Sequence, residues 1–162
     1  MKPASFRKTV LLNRAIPGSG KTAIARSISD TLASNGLHVG NHSTDDYFMR
    51  DGRYCFDVRK LMEYHQRNLL AFQRDLEVGK DGVICDNTNL LPWQTAPYTR
   101  LARRYGYRIV FLNFPPREFW KHIRAQQVRR RSPTRTRFQR MRWQRLSVIF
   151  TSTTTFCTQA RP

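Results

Sequence analysis

The chain has no aspartate or glutamate beyond Glu118, and only 11 acidic residues against 29 lysines and arginines over its 162 positions. Cysteine is scarce as well. Cys55, Cys85 and Cys157 are widely spaced and odd in number, which excludes a paired disulfide framework and gives no metal-ligand spacing. Reduced thiols in a cytoplasmic protein are expected. The histidines His38, His42, His65 and His122 are equally scattered, a pattern of satisfied or solvent-facing rings rather than of ligands. No apolar run reaches the length of a membrane span, and the N-terminus has no signal-peptide core, so no membrane partner is expected. The length fits one domain around one buried core.

What the chain has in excess is positive charge. A formal net charge of +18 points to a polyanionic partner. Its distribution is uneven: residues 1–118 carry 18 Lys/Arg and 11 Asp/Glu, a net of +7, whereas residues 119–162 carry 11 Lys/Arg and no acid. The excess is therefore largely a property of the tail.

Ala15 to Thr22 read AIPGSGKT, one glycine short of the pattern GxxxxGK(S/T) that cradles nucleotide phosphates. The run stands between an apolar stretch, Val10-Leu11-Leu12, and a helix-like one from Ala23 to Ile28. Such a loop must wrap backbone N–H groups around an anion. Gly18 and Gly20 permit the positive φ angles this needs, and the following helix adds its positive end. Pro17, Gly18, Ser19, Gly20, Lys21 and Thr22 are thus the expected triphosphate-binding residues. Lys21 would reach the β- and γ-phosphates, and the Thr22 hydroxyl would ligate Mg²⁺. An ordinary Gly/Ser turn before a lysine is the alternative.

Strand and helix signals alternate along the body, which predicts an α/β fold with a parallel sheet of about four strands between helical layers. Strands are expected at Thr9–Asn13, His38–Ser43, Val83–Cys85 and Arg108–Asn113. Helices are expected at Lys21–Ser34, Val58–Val78 with Asp57 as its cap, Pro92 to about Tyr105, and Arg117–Val128. Met49–Tyr54 is read as a polar loop. The polar motifs outside the phosphate loop mostly fall just after a strand, where ligands bind in open parallel sheets.

Asp45 and Asp46 follow the second strand. Phosphoryl transfer needs positioning, charge neutralisation and often a carboxylate that takes the acceptor's proton. A carboxylate here is placed for that proton, with Asx-type capping as the alternative, and the adjacent pair Asp45 and Asp46 lets one residue do each job; Asp46 is the substrate-binding candidate. Asp86 ends an apolar strand, where a Mg²⁺-associated acid would sit. Thr88 and Asn89 could orient substrate, or they could simply belong to a turn and helix cap before Pro92. Arg117, Arg124, Arg129, Arg130 and Arg131 lie on or beyond the last helix, and arginine suits a fork-like grip on phosphoryl oxygens. Arg124 and Arg129 are the candidates for catalysis, while complementing a helix dipole is the plainer role of such residues. Tyr47, Phe48, Tyr54 and Trp93 could stack on a base; for each, packing in the core or against the loop is the favoured reading.

The ordered set IPGSGKT, STDDYF and DNTNLLPW resembles the polynucleotide-kinase-like branch of the P-loop kinases, a group that includes zeta-toxin-like and AAA-type ATP-binding domains. The resemblance runs from about Thr9 to Val128. It implies a three-layer P-loop NTPase fold, ATP with Mg²⁺ as the donor, Asp45 as the general base toward a 5′-hydroxyl, and Thr88 on the acceptor side. Asn87 occupies the place of that motif's aspartate. Two departures stand out. Ala15 replaces the first loop glycine, which strains the loop only if its φ is positive. Phe48 replaces an arginine that binds the acceptor phosphate in the phage enzymes.

Residues 1–128 therefore read as an ATP-binding, P-loop kinase-like domain and 129–162 as a basic, atypical tail. Phe138 and Trp143 among its arginines fit a nucleic-acid-binding extension. A frameshift is the other reading. One permissible set of codons over residues 134–159, read out of register, encodes DAHTVPEDALAALIRDFHVYND. That peptide has the Val-Pro start and amphipathic spacing with which relatives close the fold; the nucleotide sequence decides. The function expected is a kinase acting on a hydroxyl acceptor such as a polynucleotide 5′ end. The alternatives are a nucleotide-binding NTPase module docked on nucleic acid, or a small-metabolite kinase. The acceptor and the oligomeric state are left open.

Overall fold

A computed structural model describes residues 6–114. The expected fourth helix, the lid arginines Arg117, Arg124, Arg129, Arg130 and Arg131, and the basic tail lie outside the described residues.

Four strands form the main sheet: β1 (Thr9–Arg14), β2 (Val39–His42), β5 (Gly82–Cys85) and β6 (Arg108–Asn113). They run parallel in the order β2-β5-β1-β6. A separate two-stranded hairpin is made by β3 (Met49–Arg50) and β4 (Arg53–Tyr54). The helices are α1 (Lys21–Ser34), α2 (Leu61–Glu77) and α3 (Pro92–Arg104). Because side chains alternate along a strand, each sheet strand serves two helical layers. Val10, Leu12, Val83 and Cys85 face Phe72 and Leu76 of α2 and Tyr98 and Ala102 of α3, in a buried cluster that Tyr107 closes. On the other face, a Cβ at Gly82 would lie 3.5 Å from Leu32 of α1, so α1 forms the opposite layer. The result is the three-layer α/β/α P-loop fold.

The elements follow the sequence pattern closely, with local differences. Gly36, Gly79 and Gly106 each take a positive φ just beyond a helix, where chain reversal requires it. Asp57 caps as expected by accepting from Arg59 N–H at 3.0 Å. The first turn it caps is nevertheless a 3₁₀ turn (Val58–Lys60), and the α-helix begins at Leu61. Met49–Tyr54 is a hairpin rather than a loop without regular structure. Asp51 and Gly52 have φ values of 47° and 73°, and two successive positive angles make the tight turn that matches strand twist. Gly40 is required for another reason: a Cβ there would collide with the Asp75 carboxylate. That carboxylate holds His42 Nε2 at 2.8 Å and Lys80 Nζ at 2.9 Å, tying α2 to β2.

Candidate active site

The chain leaves β1 toward β2 on one side, whereas the connection after β5 crosses to β6 on the other. That divergence opens a crevice at the carboxyl ends of β1 and β5, the place where open α/β sheets bind ligands. The phosphate loop and Asp86–Asn89 both emerge there.

Gly18 (φ 88°) and Gly20 (φ 91°) take the left-handed conformations that the sequence requires of them, and Gly20 stands at the N-terminus of α1. Ala15 is absent from the left-handed region among the described residues, so the missing glycine costs no backbone strain. Its side chain is fully buried, and its N–H donates to Thr88 O at 2.9 Å. Lys21 is buried at the head of α1, with Nζ 3.8 Å from Asp86 Oδ1. Thr22, next in the same turn, is half-buried.

Asp86 is almost wholly buried. Its Oδ1 accepts from Asn13 Nδ2 at 2.8 Å, whereas its Oδ2 is buried with no hydrogen-bond partner. Asn13 Oδ1 and Ser19 Oγ are likewise buried and unpartnered. Buried polar atoms are normally satisfied, because each lost bond costs about 1–3 kcal/mol. Several unmet polar atoms beside a lysine and an anion-binding loop fit a charged guest that supplies the missing partners. No group of three or more His, Cys, Asp or Glu residues among those described could hold a metal ion. Thr22 and Asp86 are the oxygen donors of this site that could hold a phosphate-bound divalent cation, the donor type Mg²⁺ takes.

Asp45 and Asp46 open a 3₁₀ helix (Thr44–Phe48) directly after β2. Asp45 Oδ1 accepts from Tyr54 Oη of the hairpin at 3.1 Å. Asp46 is exposed at the mouth of the site. Partial desolvation raises its pKa above the usual carboxylate range, and the negative charges of Asp86 and Asp45 add to the rise, while Arg26 and Lys21 oppose it. The turn is anchored by Asn87, whose Oδ1 accepts from Thr44 N–H at 2.9 Å, and by His65 Nδ1 at 3.0 Å from Thr44 Oγ1.

The setting of four candidate residues separates readings that the sequence leaves open. Asn89 is buried, takes a φ of 46° and gives its amide to Asn13 O at 3.0 Å. It ties the two crevice loops together instead of facing an acceptor. Phe48 cannot stack on a ligand: it is 1% exposed and packs on Phe56 and Tyr64, with ring centroids 4.9 and 4.8 Å away. Trp93, by contrast, is 69% exposed. Thr88 is half-buried and meets the phosphate loop through its carbonyl. The sequence reading passed over Asn13 and Arg26, and it valued Tyr54 only for stacking. Asn13 hides in an apolar strand, and its only signal is an amide at the strand end that enters the phosphate loop.

Among solved structures, the fold is similar to a putative kinase from Chloroflexus aurantiacus, with TM-score 0.62 and 12% identity over 83% of this chain and 73% of that one. It is also similar to the Mycobacterium tuberculosis APS kinase CysC in complex with AMPPNP and APS, with TM-score 0.55 and 14% identity over 82% and 78%. A chain of the Pnkp1/Rnl/Hen1 complex gives TM-score 0.55 and 19% identity over 72% of this chain and 38% of that one. In sequence, the chain is 36% identical over 130 residues, 80% of its length, to human NEDD4-binding protein 2, of which it spans 7%. Residues 14–148 match the AAA domain family. The chain belongs to that family of AAA domains, built on a P-loop kinase-like fold.

Proposed function

We propose that the chain is an ATP- and Mg²⁺-dependent phosphotransferase that moves the γ-phosphoryl group to a hydroxyl acceptor, with a polynucleotide 5′-hydroxyl as the leading acceptor class. The observation that carries this is the meeting of two half-sites at one crevice. The phosphate loop with Lys21 and the unpartnered Asp86 oxygen form one half. The Asp45–Asp46 turn, held by Asn87 of the neighbouring loop, forms the other.

In this reading the backbone N–H groups of residues 17–22 and the Lys21 ammonium bind the β- and γ-phosphates. Thr22 and Asp86, together with the phosphates, would hold Mg²⁺, which would neutralise charge on the transferring group. Asp45 takes the hydroxyl proton as the acceptor oxygen bonds to phosphorus and the bond to the β-phosphate oxygen breaks. Tyr54 holds one oxygen of that carboxylate in place. Asp46 and Thr88 line the acceptor side, and Arg124 and Arg129 steady the transferring phosphoryl group. A structural neighbour described as a kinase complex with AMPPNP and APS supports the donor assignment through the shared fold.

Phe48 bears on the acceptor. Its burial leaves the turn without the arginine that would hold a flanking phosphate, which keeps a small-metabolite hydroxyl as a second reading. Incubation with γ-labelled ATP, a 5′-hydroxyl oligonucleotide and a panel of hydroxylated metabolites tests the proposal. Label on the oligonucleotide supports it, and label on a metabolite moves the acceptor class to small molecules. ATP hydrolysis with no labelled acceptor overturns kinase activity in favour of an NTPase module.

A further inference from the structure

The short loop Asp86–Asn89 touches both half-sites. Toward the phosphate loop, Thr88 O accepts from Ala15 N–H at 2.9 Å and Asn89 Nδ2 donates to Asn13 O at 3.0 Å. Toward the acceptor turn, Asp86 N–H donates to His42 O at 2.8 Å and Asn87 Oδ1 accepts from Thr44 N–H at 2.9 Å. The last bond depends on which way the Asn87 amide points. Its two ends are nearly isosteric, and the reversed amide would present an NH₂ to the Thr44 N–H, donor against donor.

Tyr98 of α3 holds the other end of that amide. Its hydroxyl oxygen accepts from Asn87 Nδ2 at 3.2 Å and from Asn68 Nδ2 of α2 at 3.0 Å. Both lone pairs of that oxygen are then engaged. The ring is buried and packs edge-on against Phe72, with centroids 5.0 Å apart at 89°. The hydroxyl therefore sits at a fixed point, where it meets the amide nitrogen of Asn87. Asn87 Oδ1 is thereby turned to Thr44, the residue immediately before Asp45.

We infer that Tyr98, acting through Asn87, is a positioning residue for phosphoryl transfer. It sets the backbone turn that carries Asp45 and locks that turn to the loop that closes on the phosphate site. The inference rests on the kinase reading for its catalytic consequence and on the hydrogen-bond chain alone for its structural one.

Tyr98→Phe keeps the ring and removes the hub, leaving the Asn87 amide free to reverse. The test has two readouts on the full chain. Amide hydrogen exchange at Thr44 is expected to speed up by about tenfold or more, with exchange at Lys21–Ala25 unchanged. With whichever acceptor the wild type labels, kcat should fall by about tenfold or more while KM for ATP stays within about twofold, since the donor half is untouched. Leu37→Ala, a buried change before β2 at a residue outside this hydrogen-bond chain, serves as a control chosen for lost stability and should move neither readout per folded molecule. If Tyr98→Phe does not fold, Asn87→Ala removes the same link from its other end and should give the same two changes. Unchanged Thr44 exchange in the folded variant overturns the inference. Faster exchange with unaltered kcat overturns the positioning role. If the wild type labels no acceptor, the kinase reading fails, while the exchange measurement still decides on the brace.

Discussion

The Lys21–Asp86 pair has two jobs that mutation can separate. Nζ and Oδ1 are 3.8 Å apart, and the two side chains are 11% and 0% exposed. At an effective dielectric constant of about 20, Coulomb attraction at that distance is about 4 kcal/mol before desolvation is counted. Lys21→Met keeps the length of the side chain but leaves the Asp86 carboxylate buried without its cation. Asn13 Nδ2, at 2.8 Å, is then its remaining partner in the site. Breaking a buried pair from one side costs about 3–5 kcal/mol. The unfolding free energy should therefore fall by about 3 kcal/mol, a large part of the 5–15 kcal/mol typical of a domain. Asp86→Asn alone should cost less, because the tip of Lys21 can still reach water. Adding Asp86→Asn to Lys21→Met removes the stranded charge and should restore about 1–2 kcal/mol, so the double variant is more stable than Lys21→Met. Urea denaturation of the four proteins at pH 7.5, with ATP binding followed by calorimetry, checks this. Stability should return in the double variant and nucleotide binding should not. A coupling energy below about 0.3 kcal/mol would refute the pairing, since independent sites add to within that error.

Stability should also fall with acidity through His42. Burial lowers its pKa below 6.5, outweighing the Asp75 carboxylate that raises it, and Lys80 lowers it further. Between its lowered folded value and about 6.5 the unfolded chain binds the extra proton, so this contribution is present above pH 6.5 and lost as pH falls through the folded value. Urea midpoints from pH 7.5 to 5 should show that slope, and His42→Gln, which can still donate to Asp75, should flatten it. Gly20→Ala should cost about 1–2 kcal/mol, because a Cβ at φ 91° has room but no favourable backbone conformation. It should also abolish ATP binding by deforming the loop; retained affinity would mean that the loop does not need its left-handed geometry.

The parallel sheet and the phosphate loop were legible because they rest on local rules. Apolar strand runs, Gly36 and Gly106 behind helices, and GSGKT before a helix all act within a few residues of themselves. The hairpin at Asp51-Gly52 reads as a polar loop, because the strands that the dipeptide joins are only two residues each and carry no alternation. The spatial parts were not legible. Asn13 and Asp86 are 73 residues apart in sequence and meet only because β1 and β5 are neighbours in the sheet. The contact between Tyr54 and Asp45 depends on the fold-back of the hairpin. For Phe48 and Asn89 the motif gave the place and left the direction open. An aromatic after the acidic pair can face a ligand or the core, and only its packing on Phe56 and Tyr64 decides. Asn89 is spent on Asn13 O because the two loops leave adjacent strands.

The central claim is that Asp45 serves transfer and the phosphate loop serves binding. Single-turnover label transfer from γ-labelled ATP by wild type and Asp45→Asn, with ATP affinity measured on the same samples, tests it most directly. Transfer by Asp45→Asn should fall by about 10²–10⁴-fold, the usual worth of a positioned base, with ATP affinity within about twofold of wild type. Transfer by Asp45→Asn at the wild-type rate would contradict it.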